Sequence, residues 1–363
     1  MPLPSTLPQP LNAFWPESRA TGPPFRSHLR VGRGVWGRQG PQVPGPPPKR
    51  LPLSDKALPV RLGLKVDIDT LGGLTEGVPA LLEVFAARNI RVSFFVALGP
   101  DNSGRAIFRV FRQRGFLEKM LRTRAPSVYG FRTMLYGTML PAPRIGAAAP
   151  LLLPRLRAVG HEVGLHGYDH VRWHDRLLAL TRAEVDREIH QAQASFTGIM
   201  GVRATSFAAP GWQASKTSRA ALAEAGFSYA SDTRGSRPFF PRFGAQVSTL
   251  LEIPTTLPTL DELLGLGRCT VEDFFDLILS RLENGKPQVL TLHAELEGGP
   301  YREAFGAFLD KCLDRGVAFF RLADWARELL KRREDLPVAP VYQGRLPGRA
   351  GTVSRQGVPE AWT

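Results

Sequence analysis

From Val60 onward, short apolar runs alternate with stretches whose apolar residues recur every three or four positions. "VRLGLKVDID" (60–69) predicts a buried strand. "TEGVPALLEVFAARN" predicts a helix after it, with Thr75 as cap and Glu76 in the first turn. "IRVSFFVAL" predicts a second strand. Beyond residue 144 the alternation resumes, with a helix near 148–159 and a strand at 161–166. Thr181 and Glu184 form a capping-box pattern that opens another helix. Strands are expected at 202–207, 227–230, 247–253, 287–293 and 317–320, and helices at 214–225, 271–284, 301–315 and 322–333. Strand followed by helix, repeated, predicts an α/β fold with a parallel sheet and helices outside. A count of about seven strands favours a barrel over an open sheet.

The two ends lack this pattern. Residues 1–58 hold 13 of the 32 prolines and carry eight basic against two acidic residues. Residues 331–363 carry six basic against three acidic. Both are expected to be disordered basic extensions of a folded unit at 59–330. The net charge of +14 therefore resides largely outside the expected core. Inside it, one segment stands apart: 105–144 has nine basic residues and a single acid, Glu118. The two cysteines, Cys269 and Cys312, form no CxxC, so a reducing compartment is expected. The N-terminus has no apolar core of a secretory signal, and no run approaches the roughly 18 apolar residues of a spanning helix.

The chemistry lies at strand ends. "HEVGLH" (161–166) predicts a strand ending in His166, and the carboxyl ends of strands are where α/β folds build sites. His170 follows four residues later, a spacing that puts two imidazoles on one helix face but also occurs on solvated helices. Gly167 stands where the HExxH zinc proteases have Glu, so that chemistry is not expected. Catalytic zinc takes three protein ligands. Asp67 and Asp69 share one face of the first strand, and buried carboxylates there need a partner or a metal. His293 ends the strand in "PQVLTLHAELEG". Taken singly, Asp69 reads as a turn residue and His293 as a core histidine. Taken together, the five make a metal-hydrolase set: one carboxylate and two histidines for a divalent ion, a second carboxylate as base, a third histidine as acid. His161, His174 and His190 read as structural or surface residues.

The order "DID", "HGYDH", "APGW", "ASDTRG", "LTLHAE" resembles the polysaccharide deacetylases of carbohydrate esterase family 4. Longer strings narrow it: "GLKVDIDTLGGLTEGVP", "VSFFVALGPDNSGR", "GHEVGLHGYDH", "SDTRGSRPF", "EIPTTLPTLDE" and "HAELEG" resemble the 4-deoxy-4-formamido-L-arabinose-phosphoundecaprenol deformylases, over about residues 60–325. The resemblance implies a distorted (β/α) barrel of polysaccharide-deacetylase type. It implies one divalent ion on Asp69, His166 and His170, zinc first, with manganese, cobalt or iron also suited to such a set. It implies Asp67 as base and His293 as acid, with Trp212, Asp232, Arg234 and Glu295 binding substrate or supporting the site. The implied reaction removes formate from a formamido-arabinose on undecaprenyl phosphate, in lipid A modification and polymyxin resistance. The chain departs from the wider deacetylase pattern at the third motif, where the usual R-x-P is replaced by Ala208, Ala209 and Pro210. The competing expectations are an N-deacetylase of another polysaccharide or amino sugar, and a basic protein binding nucleic acid, which leaves the five strand-end residues unexplained.

The basic segment 105–144 is expected to be a helical insertion. Phe108, Phe111, Phe116 and Met120 alternate with its arginines at helical spacing. A mixed basic and aromatic face without spanning length describes an interfacial segment. The expected protein is a monomer, cytoplasmic, peripheral on an anionic inner-membrane face, and not a partner of nucleic acid.

Overall fold

The computed structural model describes residues 59–108 and 132–358. Its main sheet is built from β1 (Arg61–Ile68), β2 (Ser93–Val96), β3 (Glu162–Leu165), β4 (Ser206–Phe207), β5 (Tyr229–Ala230), β8 (Leu251–Glu252), β9 (Gln288–His293) and β10 (Ala318–Phe320). Seven strands follow the path β10-β1-β2-β3-β4-β5-β8, and β9 joins as the eighth beside β1. Every pairing in this sheet is parallel. The far edge curls back: Thr256 N and Leu257 N donate to Val289 O at 3.1 and 3.2 Å, just past β8. The result is a distorted barrel.

Period two sorts the strand residues into two cores. Leu62, Leu64, Val66 and Ile68 of β1 join the large cluster between sheet and helices, with Phe94, Val96, Leu290 and Leu292. Phe95 and Val289 fall in a second cluster with Tyr229, Leu251 and Phe320, which fills the barrel. Each such aliphatic or aromatic side chain contributes about 1.5–3 kcal/mol on full burial. Gly63 is required where it stands, because a Cβ would meet the Phe320 ring at 2.8 Å. The inward positions beyond it on β1 are Lys65 and Asp67, both buried.

The helices are α1 (Val78–Ala86), α2 (Leu152–Ala158), α3 (His170–Arg176), α4 (Arg182–Met200), α5 (Lys216–Glu224), α6 (Val271–Ser280), α7 (Arg302–Asp314) and α8 (Leu322–Leu330), with several shorter turns. The Thr181–Glu184 capping box opens α4, and Gly201 closes it at φ +68°. Thr75 is not a helix cap. The helical turns begin earlier, through a π-helical stretch Gly73–Gly77, and Thr70 Oγ1 accepts Gly73 N at 3.0 Å. Thr75 instead donates to Leu71 O at 2.9 Å. Among the described residues no helix is long and apolar enough to cross a membrane.

The expectation of a disordered tail at 331–363 fails for its described part. β11 (Val338–Gly344) pairs in parallel with β6 (Phe240–Phe243) and antiparallel with β12 (Val353–Gln356), and β7 (Gln246–Val247) completes a four-stranded sheet. Arg234 N donates to Ser354 O at 2.9 Å and Gln356 N to Arg234 O at 2.8 Å. Leu346 and Val353 pack with Trp212. The order comes from backbone partners about a hundred residues away, which no local period reveals. Of the insertion, residues 109–131 lie outside the described residues, as do 1–58. Its described end holds a short turn, Thr133–Leu135, tied back by Gly104 N to Tyr136 O at 3.0 Å.

Candidate active site

The carboxyl end of β1 delivers two carboxylates. Asp67 is the register partner of His293 on β9 and of Phe95 on β2. Asp69 lies one residue past β1, and its loop is pinned by Glu295. Glu295 Oε1 accepts Asp69 N, Thr70 N and Thr70 Oγ1 at 3.0, 2.9 and 2.8 Å. Burial, with the charge of Asp69 adding to it, pushes the Glu295 carboxyl up to about 8. Gly73 leaves room for this carboxylate, since a Cβ there would overlap it.

His166 and His170 do not share a helix turn. His166 follows β3 directly, with its N donating to Val96 O at 2.8 Å. Gly167 then turns the chain at φ +77°, a region that favours glycine. Asp169 caps α3 by accepting Arg172 N at 2.9 Å and is braced by Asn102 Nδ2 at 2.7 Å. His170 is therefore the first residue of α3, and its ring stacks on that of His166 with centroids 5.2 Å apart.

Both rings aim at one carboxylate. His166 Nε2 is 3.2 Å from Asp69 Oδ1 and His170 Nε2 is 3.4 Å from Asp69 Oδ2. One ligand atom from each of the three lies within 4.8 Å of the others. Burial alone would raise the pKa of Asp69, but His170, His166 and His293 override it and hold the carboxyl well below the usual range. Asp69 Oδ1 is buried without a hydrogen-bond partner. One carboxylate and two imidazoles converging on one point fit a divalent cation.

The two proton-transfer candidates flank this cluster. Asp67 Oδ1 lies 3.9 Å from His166 Nδ1, while Oδ2 is 3.2 Å from Lys65 Nζ. His293 Nδ1 is 4.0 Å from Asp261 Oδ1. Burial works against the charged ring of His293, but Asp261, Asp69, Glu297 and Asp67 overcome it and raise its pKa. Glu297 Oε2 also accepts His293 N at 2.9 Å. Trp212 stands edge-on to His293 with centroids 6.4 Å apart, and its Nε1 donates to Thr255 Oγ1 at 2.9 Å.

The supporting residues divide. Glu295 braces the Asp69 loop. Arg234 holds Glu262 and Leu257 O, and its guanidinium lies 5.0 Å from the Trp212 ring. Asp232 pairs with Arg219 at 2.9 Å, and Asp261 is the carboxylate paired with His293 Nδ1. Asp261 and Lys65 escaped the sequence reading. Asp261 sits in a short helix, Leu260–Leu263, within "TLDE", with no strand-end signal. Lys65 was visible only as an inward-facing charge two residues before Asp67. His161 is a buried structural residue that accepts Val92 N at 3.1 Å, and burial lowers its pKa to about 4. Phe111, Phe116 and Met120 lie outside the described residues, and Phe108 ends a short turn, Ser103–Phe108.

Comparison with known proteins bears on the family and the fold. Residues 62–230 match the family model described as polysaccharide deacetylase. A relative in Shewanella sediminis, named "Probable 4-deoxy-4-formamido-L-arabinose-phosphoundecaprenol deformylase ArnD", is 34% identical over 297 residues, covering 82% of this chain and 94% of the relative. A protein of the same name in Wigglesworthia glossinidia brevipalpis is 32% identical, covering 78% of this chain and 98% of its own. The crystal structure of a "polysaccharide deacetylase from Mycobacterium smegmatis" superposes with a TM-score of 0.54 at 18% identity, covering 80% of this chain and 96% of that one. Its likeness concerns the fold. Identity over nearly the full length of named deformylases, on this barrel, identifies the chain as a member of the polysaccharide deacetylase family and a hydrolase of the deformylase and deacetylase kind.

Proposed function

We propose that the protein hydrolyses the formamide of 4-formamido-4-deoxy-L-arabinose carried on undecaprenyl phosphate, releasing formate and the amino sugar lipid, in lipid A modification. The observation that carries this reading is the convergence of Asp69, His166 and His170 between Asp67 and His293, in a chain whose relatives bear that deformylase name. A divalent ion held by Asp69, His166 and His170, zinc first, would polarise the formyl oxygen and acidify a water. Asp67 takes the proton of the attacking water through Oδ1, which has no hydrogen-bond partner. His293 delivers a proton to the departing amine, whose poor leaving ability is the chief obstacle. Its carboxylate neighbours raise its pKa and so favour the charged ring that task needs. Trp212 and Arg234 wall the sugar subsite.

The same reading places the enzyme at the inner face of the bacterial inner membrane, as a monomer. The basic segment 105–144 carries Phe108, Phe111, Phe116 and Met120 toward the lipid, while residues 1–58 are dispensable for turnover. Each basic residue near an anionic leaflet contributes about 1 kcal/mol. The deciding experiment is formate release from the lipid-linked formamido sugar, run beside the acetamido analogue. Turnover of the formamide alone is expected. Faster release of acetate would favour an N-deacetylase of another amino sugar, which shares all five residues.

A further inference from the structure

We propose that Lys65 is the positioning residue that aims the Asp67 carboxylate at the reacting water, an inference that rests on the reading of Asp67 as base. Lys65 and Asp67 are two apart on β1 and face the barrel interior together. Lys65 is wholly buried. Its Nζ lies 3.2 Å from Asp67 Oδ2 and donates to Ser231 O at 3.3 Å. The rings of Trp212 and Phe95 lie beside it, at 5.4 and 5.9 Å. The carboxylate of Asp232, which the Lys65 charge also reaches, is paired through Oδ2 with Arg219 at 2.9 Å.

A buried ammonium is a poor device for stability, because apolar residues of similar volume often serve as well or better. What Lys65 supplies is direction. It takes one oxygen of Asp67 and leaves the other, Oδ1, without a hydrogen-bond partner, 3.9 Å from His166 Nδ1. One pinned oxygen fixes the lone pairs of the other. The register pairing of Asp67 with His293 then sets base and acid on neighbouring strands. The third motif cannot do this work, because Ala208 and Ala209 bring no charge.

The test uses the full-length, metal-loaded chain and four variants: Lys65→Met, Lys65→Arg, Asp67→Asn and the double Lys65→Met/Asp67→Asn. Formate release, bound metal per chain and Tm are measured for each. Lys65→Met is expected to lower kcat by about 10²-fold, the cost of a misplaced catalytic group. Its KM and metal content should stay near wild type, and Lys65→Arg should recover most of the rate. The double variant should turn over no more slowly than Asp67→Asn, because Lys65 acts through Asp67. A fast Lys65→Met, or losses that multiply in the double variant, overturns the proposal. Should Lys65→Met fail to fold, the double variant, which buries no unpaired Asp67 charge, decides it against Asp67→Asn. A fully active Asp67→Asn would instead sink the base assignment, and a slow Asp67→Asn beside a fast Lys65→Met would sink Lys65 alone.

Discussion

The two ends of the barrel both bury charge, and they treat it in opposite ways. At the amino end, Ser93, Glu162, Ser206 and Tyr229 are the first residues of four adjacent strands. Glu162 accepts from Ser93 Oγ, Ser206 Oγ and Tyr229 OH at 2.6, 2.7 and 2.7 Å. It also accepts Ala323 N at 2.9 Å, at the start of α8, where Leu322 N donates to Ser93 Oγ at 2.8 Å. That carboxylate lacks nothing. At the carboxyl end, Asp67 Oδ1, Asp69 Oδ1, His166 Nδ1, His293 Nδ1, Glu295 Oε2 and Glu297 Oε1 are buried without hydrogen-bond partners. Buried polar atoms in native proteins are nearly always satisfied. A satisfied cluster holds the fold, and one that leaves polar atoms over can serve chemistry. β3 carries both, with Glu162 at its start and His166 just past its end.

Paired substitutions on that strand should separate the two roles. His166→Ala is expected to bring turnover to background and remove most bound metal, with Tm preserved or raised. Glu162→Ala should do the reverse. It strips several buried donors of their acceptor, at about 1–3 kcal/mol each, so a loss of about 3–5 kcal/mol is expected. That corresponds to roughly 10 °C in Tm for a chain of this size. The kcat per folded molecule should hold. Metal analysis, thermal melts and formate assays on both variants check the contrast. A His166→Ala protein with full metal occupancy breaks it.

Within the carboxyl end, Asp67→Asn and His293→Ala should keep metal and lose about 10²–10⁴-fold in kcat, the range for a proton-transfer group. Unchanged turnover in either refutes that residue's role. Single-turnover assays with metal quantified beforehand are the measurement.

What the sequence revealed follows the same division. Asp67, Asp69, His166 and His293 were legible because a polar residue at the end of an apolar strand contradicts its surroundings, and period two says which way it points. His170 was legible as a spacing, but its place at the start of α3 was not, since Gly167 and the Asp169 cap define it. The amino-end cluster was hidden. Ser93, Ser206 and Tyr229 look like ordinary strand residues, and their acceptor lies on another strand in each case. The tail was hidden for the same reason: β11 depends on β6, and its Pro and Gly content masks the pairing. Deleting residues 345–363 tests how far that tail serves the site. Leu346 and Val353 pack on Trp212 and the Arg349 guanidinium lies 4.5 Å from its ring. A rise in KM of about tenfold or more is expected, the scale of a lost pocket wall, with a smaller fall in kcat. An unchanged KM would assign the tail to the fold alone.

The smallest expected effect concerns Asp261 and is read in the pH profile. His293 must be protonated to act as acid, and it is protonated below its pKa. Burial disfavours that charge, and Asp261 is the foremost of the carboxylates that restore it. Asp261 is itself oriented by Thr259 Oγ1 at 2.6 Å. Replacing it with Asn removes the charge but keeps the shape. The pKa of His293 then falls, so the protonated form is lost at a lower pH. The alkaline limb of the kcat/KM profile should therefore move toward neutrality, while the acidic limb, set by the base, stays close to its wild-type position. Turnover well below the alkaline limb should change by less than about tenfold, because Asp261 biases the charge of the ring without handling the transferred proton. An alkaline limb that does not move in Asp261→Asn would show that His293 is not the acid or that Asp261 does not govern it. The His293→Ala profile tells these apart: with His293 as acid that limb disappears, and otherwise it survives.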